Sequence, residues 1–379
     1  MKILSRLFNK EYSQRHITQI AIISPQMYQI FKPRKNYEFP FGGAEVQLSL
    51  LARELHRQNI TVHVLVADYG QPLHEVIEGI HFWKAIYLSA NPFKKSFRFF
   101  LVTLRIPTKI FVRKGLTLAN AVMALYLKLA GGQFIHIIAH DRETDGSHKI
   151  YKNRIKKQLT FMGLKTTSHI FTQNQYQYYN LKKRNINNTI LYSLITTLSN
   201  KTPSFPNSYV LWVGRAEEWK RPNLFLELVK KMPSYQFVMI CPPSKAAPQL
   251  NEYIQNASQE YTNLTFKSFV PFSEIEEYFK YATLFVNTST QEGFPNTFIQ
   301  SMKYSTPIIS FSVNPNNIIT TYNLGFICND STEKVIESIT RLYKEYEYFQ
   351  TLSRNCYTYV KETHDVVKNT QHFIKTIQK

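Results

Sequence analysis

The chain has 379 residues, of which 44% are hydrophobic, and carries a formal net charge of +20. That length and apolar content exclude a disordered polymer and suffice for one large buried core or, better, two. Three cysteines, Cys241, Cys328 and Cys356, are odd in number and lack metal-ligand spacing, which argues against a disulfide framework and fits a reducing compartment.

In chain order, the start MKILSRLFNK is basic and runs into ITQIAIIS. Glu11 and Gln19 interrupt the pattern and no small-residue cleavage site follows, so no secretory signal is expected. Residues 17–24 form the first expected strand. The pair Gly42-Gly43 then opens a helix whose Ala44, Leu48, Leu51, Ala52 and Leu55 share one face. Backbone at such a pair can approach a phosphate or sugar closely, and a helix N-terminus favours an anion. A structural turn is the plainer reading of two glycines. Further strands are expected at 61–67, 108–113, 134–139 and 169–173. The apolar run 116–130 carries Lys128 and is too short for a membrane span, so it reads as a packed helix. The strand in FIHIIAHDRETDG delivers His140 and Asp141 to its exposed end, where His140 can exchange a proton with a reacting hydroxyl. His136, inside that strand, reads as a hydrogen-bonded core histidine.

A polar connection at 199–208, SNKTPSFPNS, carries two prolines and separates this set of elements from a second one. The second set has strands at 209–213, 237–241, 264–270, 284–287 and 307–311. Strands alternating with helix-length segments argue for parallel sheets with crossover helices, twice over. After about residue 331 the pattern is helical to the end.

Two corners of the second half carry chemistry. In VLWVGRAEEWKRP a buried strand ends at Gly214 and is followed by Arg215, Lys220 and Arg221 before a helix opens near Pro222. Cations over the carboxyl end of a parallel strand suit a diphosphate, Arg215 as a fork of donors and Lys220 as a compact charge. The alternative is that they are surface charges answering Glu217 and Glu218. In QEGFPNTFIQ a lone carboxylate, Glu292, and Gly293-Phe294 precede a helix opened after Pro295. The helix-opening N–H groups of Asn296 and Thr297 favour an anion there. Glu292 would accept from hydroxyls, and Gln300 would reach another part of the same ligand.

Absences narrow the field. Aspartate occurs only at 68, 141, 145, 330 and 365, so no Asp-x-Asp pair can hold a divalent cation against a diphosphate. Neither a G-x-x-x-x-G-K-[ST] loop nor a G-x-G-x-x-G turn occurs. No metal and no resident cofactor is expected.

Charge is unevenly placed. Residues 1–200 hold 28 Lys+Arg against 10 Asp+Glu, and the remainder 18 against 16. The densest stretches, FKKSFRFF at 93–100 and KIYKNRIKKQLTFMGLK at 149–165, interleave cations with aromatics or helically spaced apolar residues. They could lie on an anionic membrane surface or form a solvated basic face. No nucleic-acid recognition module is present.

Taken together, these residues resemble glycosyltransferase family 4, the retaining nucleotide-sugar transferases of GT-B fold. The likeness runs from Ile17 to the end and rests on the E-x7-E segment starting at Glu292 and the G-R-x4-K segment from Gly214 to Lys220. Gly42-Gly43 and His140 occur in the expected order. The resemblance implies two Rossmann-like domains facing across a cleft: an acceptor-side domain at 1–203, a nucleotide-sugar domain at 204–345 and a helical segment at 346–379 returning to the first. It implies Arg215 and Lys220 on the donor diphosphate, Glu292 on the transferred sugar, position 300 on the ribose and His140 by the reacting sugar. Gly42, Gly43, Gly214, Gly293, Phe294, Asn296 and Thr297 would complete the donor site, for a UDP- or GDP-sugar. Position 300 is Gln where the family usually has Glu, which should cost about 1 kcal/mol at the ribose. Pro295 removes one N–H, and Cys241-Pro242 stands where glycine is common. The expected function is hexosyl transfer to a hydroxyl of a glycan or a lipid-linked, anionic acceptor in cell-surface polysaccharide or glycolipid assembly, in the cytoplasm at the inner face of the plasma membrane. The rival classes are a non-catalytic GT-B protein binding a sugar nucleotide or glycan, and a basic nucleic-acid-binding protein.

Overall fold

Runs rich in Ile, Val and Phe form the buried parallel strands, as their β-branched, uninterrupted apolar character requires when helices cover both faces. The computed structural model describes residues 17–33, 42–87, 91–196, 209–271 and 274–378; the basic start 1–10 and the connection 199–208 lie outside the described residues, as do the side chains of 92–95 and 149. The chain divides into two units. One comprises Met1–Thr172, Asn180–Leu191 and Val366–Lys379, the other Gln173–Tyr179 and Tyr192–Asp365.

In the first unit the strands are β1 (Gln19–Ile23), β2 (Thr61–Ala67), β3 (His74–Ile77), β4 (Ile80–Ile86), β5 (Ile110–Lys114), β6 (Gln133–Ile137), β7 (His169–Thr172) and β8 (Thr189–Ile190). Their order is β3-β4-β2-β1-β5-β6-β7-β8, parallel except for the β3–β4 hairpin. That hairpin was not expected from the sequence. Its two-residue turn, Glu78-Gly79, has positive φ at both positions, 51° and 74°, the requirement of a tight hairpin turn, and glycine meets it at the second. The last helix, Val366–Ile377, groups with this unit; Phe373 is fully buried, its ring centroid 5.1 Å from that of Phe171.

In the second unit the strands are β9 (Tyr209–Val213), β10 (Phe237–Ile240), β11 (Leu264–Lys267), β12 (Ala282–Asn287), β13 (Ile308–Ser310) and β14 (Gly325–Ile327), in the order β11-β10-β9-β12-β13-β14 and all parallel. The added edge strand β14 starts at Gly325, where a Cβ would lie 1.8 Å from the Ile308 carbonyl oxygen; only glycine allows so close a backbone approach. The helix Tyr346–Thr363 stays with this unit, because Leu352, Cys356 and Val360 are buried in its two cores.

Each unit buries a histidine in neutral form. His63 Nδ1 accepts from Trp83 Nε1 (3.2 Å) while Nε2 donates to Gln19 Oε1 (3.0 Å). Burial, with the like charges of His81 and His74, lowers its pKa to about 4. His364 Nδ1 donates to the Ser193 carbonyl (2.7 Å), and burial likewise lowers it to about 4. Because both folded values lie below the unfolded value, stability is complete above about pH 6.5 and is lost as pH falls toward 4, at up to about 1.4 kcal/mol per pH unit for each histidine. Urea midpoints should therefore fall between pH 6.5 and 5, before carboxylates titrate, and replacing both histidines by asparagine should flatten that slope; an unchanged slope would refute the assignment.

Candidate active site

The second sheet reverses its order between β9 and β12, which pair directly. In open α/β sheets, ligands bind beyond the carboxyl ends of the strands at such a reversal. Both motif corners of the second half sit there. β9 runs out through Gly214 and Arg215 into the helical turn Glu218–Lys220 and the helix Pro222–Lys231. β12 runs out through Thr288 and Glu292 into the helix Asn296–Lys303.

The two loops are riveted together. Trp212 Nε1, buried on β9, donates to Thr288 Oγ1 (2.8 Å), and that hydroxyl donates to the Lys220 carbonyl. The Thr290 amide donates to the Trp219 carbonyl (2.9 Å). So held, Lys220 extends its ammonium onto the Glu292 carboxylate, which also accepts from Ser289 Oγ (3.0 Å). Side-chain exposure is 19% for Lys220 and 11% for Glu292, so the pair is largely shielded from water. The Lys220 ammonium also sits 4.4 Å from the Trp219 ring centroid. Gly214 makes room: a Cβ there would approach Trp212 Cη2 to 3.0 Å and Lys220 Cδ to 3.6 Å.

The neighbouring residues divide between anchoring and exposure. Arg215 turns onto Glu217 (3.3 Å), the local pairing weighed as the plainer reading, and Glu217 also receives the Trp219 indole N–H. Lys220, by contrast, chooses a carboxylate 72 residues away. Arg221, in the left-handed region at φ 49°, ties three strand ends together through the Thr288 carbonyl (2.6 Å), Ser312 Oγ (3.3 Å) and Asp330 Oδ1 (2.7 Å). The Gly293 carbonyl accepts from Asn174 Nδ2 (2.8 Å), and buried Phe294 lies 5.0 Å from the His364 ring. Asn296, Thr297 and Gln300 follow on the helix, half-buried.

Gly42, Gly43 and His140 belong to the first unit. Gly43 starts the helix Gly43–Arg57, and the Gly42 amide is already engaged by Glu45 Oε2 (2.9 Å), as in a capping box. His140 follows β6, and its Nδ1 accepts from the Arg142 amide (3.2 Å). His136 is fully buried, its Nδ1 3.1 Å from Asn120 Nδ2. Sequence reasoning missed Thr288, Ser289 and Asn174, the residues that hold the site. Their only signal is position, immediately after a buried strand or before a helix.

Residues 207–345 match the family described as "Glycosyl transferases group 1". That stretch lies within the second unit, which is thus similar to group 1 glycosyl transferases. No curated protein sequence matches the chain. Solved structures do. Sucrose-phosphate synthase from Thermosynechococcus elongatus is 14% identical, with a TM-score of 0.75 over 95% of this chain and 98% of that one. HepE of Anabaena, solved with UDP and glucose, is 13% identical, with a TM-score of 0.71 over 95% and 99%. WaaG, a glycosyltransferase involved in lipopolysaccharide biosynthesis, is 13% identical, with a TM-score of 0.64 over 94% and 99%. The fold is GT-B. A group 1 match over residues 207–345 on that fold is what the chain has in common with glycosyltransferases.

The rivet predicts its own energetics. Thr288→Val removes the acceptor of a buried indole N–H and should cost about 1–3 kcal/mol. Urea denaturation followed by tryptophan fluorescence checks this, and an unchanged midpoint would contradict the proposed role.

Proposed function

We propose that the protein moves a hexose from a UDP- or GDP-sugar to a hydroxyl of a glycan or lipid-linked acceptor with retained anomeric configuration, as family 4 enzymes do. The observation that carries this is the Lys220–Glu292 pair at the sheet reversal of a group 1 domain. HepE, similar in fold, was solved with UDP and glucose, which supports a nucleotide-sugar donor. An arriving diphosphate competes with Glu292 for the Lys220 ammonium. Once Lys220 turns to phosphate, the carboxylate is free to accept from sugar hydroxyls, so one exchange of partners prepares both halves of the donor site.

The reaction breaks the bond between the anomeric carbon and the β-phosphate oxygen and forms one to the acceptor oxygen, whose proton leaves with the diphosphate. Charge grows on the departing phosphate. Lys220, Arg215 once released from Glu217, and the amides of Asn296 and Thr297 lie on the loops that would meet it, and groups preorganised at such a charge contribute about 10²–10³ each to rate. Glu292 holds the sugar and Gln300 the ribose. On this reading His140 stands beside the reacting sugar, with Gly42 and Gly43 near the donor, and Gly214, Gly293 and Phe294 shape the pocket. Among the described residues no cluster of His, Cys, Asp or Glu is placed to hold a metal ion.

The acceptor reading follows charge. The first unit holds most of the excess cations, which suits an anionic, lipid-linked acceptor at the inner face of the plasma membrane, within polysaccharide or glycolipid assembly. Among the described residues no helix is long and apolar enough to cross a membrane.

Thermal shift with UDP, GDP and their sugars should show stabilisation by one base, since a ligand that binds only the folded state raises its stability. With that donor, Lys220→Ala and Glu292→Ala should each lower transfer and donor hydrolysis at least about 100-fold while leaving the unfolding transition cooperative. Wild-type turnover in either variant would sink the assignment.

A further inference from the structure

Three helices of the first unit form one layer: Pro92–Arg105, Leu118–Leu129 and Arg154–Thr166. Phe100 of the first lies edge-on to Tyr126 of the second, centroids 5.4 Å apart. Gly163 of the third seats so close to the second that a Cβ on it would come within 2.4 Å of Ala121 Cβ. Their inward stripes, Val102 and Ile106 then Met123, Ala124 and Leu127, are buried on the sheet, as an amphipathic helix requires.

Each helix also carries a second apolar stripe at helical spacing, facing outward. On the first it includes Phe97 and Leu104, and on the third Ile155, Leu159 and Met162. On the middle helix it is Val122, Leu125 and Leu129, with exposures of 69%, 52% and 81%. The run 116–130, expected to be packed, is therefore packed on one side only. Isolated exposed apolar residues are ordinary, but three adjacent stripes make a contiguous patch that marks a docking face.

Charge identifies the partner. The three helices hold nine Lys or Arg and not one Asp or Glu. Four cations lie on each outer helix and one, Lys128, on the middle helix. No described ion pair engages the described cations of these helices. An apolar ridge flanked by cations is the layout of a segment lying in the boundary of an anionic bilayer, its aliphatic ends among the acyl chains and its ammonium groups at the headgroups. Six of the nine cations are lysine, a residue depleted at protein–protein interfaces but suited to diffuse attraction toward an anionic leaflet. A nucleic acid would leave the ridge unpartnered.

We propose that this three-helix layer is the surface by which the protein docks on an anionic lipid bilayer, with the Val122–Leu125–Leu129 ridge inserting and the two outer helices binding headgroups. For its purpose, delivery of a lipid-linked acceptor, the inference rests on the transfer reading above; binding itself does not depend on it.

The test is flotation of the full chain with vesicles of 30% phosphatidylglycerol in phosphatidylcholine and with pure phosphatidylcholine, at 0.1 M and 0.5 M NaCl, alongside donor hydrolysis measured without vesicles. Wild type should float at least about tenfold better with the anionic vesicles and keep part of its binding at high salt. Val122→Ser/Leu125→Ser/Leu129→Ser should abolish the salt-resistant part, and Lys156→Glu/Lys157→Glu should lower binding at 0.1 M NaCl at least about tenfold, with donor hydrolysis unchanged in both. Should the triple variant fail to fold, the double variant and the salt series still decide. Equal flotation with both vesicle types, or indifference to both variants, overturns the proposal. So does a wild-type dimer in sedimentation that the triple substitution dissociates, because a second copy then covers the face. Vesicle binding without any donor turnover would refute the transfer reading alone and leave the docking face standing.

Discussion

The parallel pairing of β9 with β12 is the constraint on which the candidate site depends. Because the sheet reverses its order there, two loops whose Lys220 and Glu292 lie 72 residues apart in sequence leave adjacent strand ends side by side. The Trp212–Thr288–Lys220 chain of hydrogen bonds then fixes one loop against the other. With the Lys220 backbone held, its side chain reaches Glu292, and Ser289 Oγ donates to the same carboxylate. A sheltered opposite-charge pair adds little net stability to a fold, since desolvation offsets the attraction. On the proposed reading its value is poise: it keeps a cation and a carboxylate close and partly shielded until a ligand offers each a better partner.

The two units handle charge in opposite ways. In the second, cations near the reversal are answered by carboxylates: Lys220 by Glu292, Arg215 by Glu217 and Arg221 by Asp330. Their donors are thereby held at the strand ends, and on the proposed reading an arriving anion competes with these carboxylates for them. In the first unit the three-helix layer is basic without a single acidic residue in its own sequence. Such a field is long-ranged and insensitive to detail, as suits an extended anionic surface rather than one small ligand.

Legibility varied with burial. The central strands β2 and β9 lie where the apolar runs put them, at Thr61–Ala67 and Tyr209–Val213, because strands covered on both faces must be continuously apolar. The edge elements escaped notice. β3 reads HEVI, half of it polar, and β14 opens on Gly325, a residue that weakens any strand signal. Strand β11 ends at Lys267, short of the expected 270, since apolar Phe269 and Val270 belong to the turn that leaves it. The motif corners were legible because strand, glycine and cation occur in one short stretch. The residues that secure them, Thr288, Ser289 and Asn174, were not, because a threonine, serine or asparagine at a strand end looks the same whether it caps a turn or bridges two loops.

The sequence by itself determined the alternation of strand and helix, the two-domain α/β class, the order of the motifs and the excess of cations in the first half, because periodicity and composition are local properties. Tertiary structure alone decided which charges meet. Lys220 lies within three residues of Glu217 and Glu218, yet it pairs with Glu292, while Arg215 takes Glu217. It also decided that the helix Leu118–Leu129 buries one apolar stripe and exposes another. Spacing along a chain says which side chains share a face, but which face meets another element is set by strand order and helix packing, and those join residues far apart in sequence.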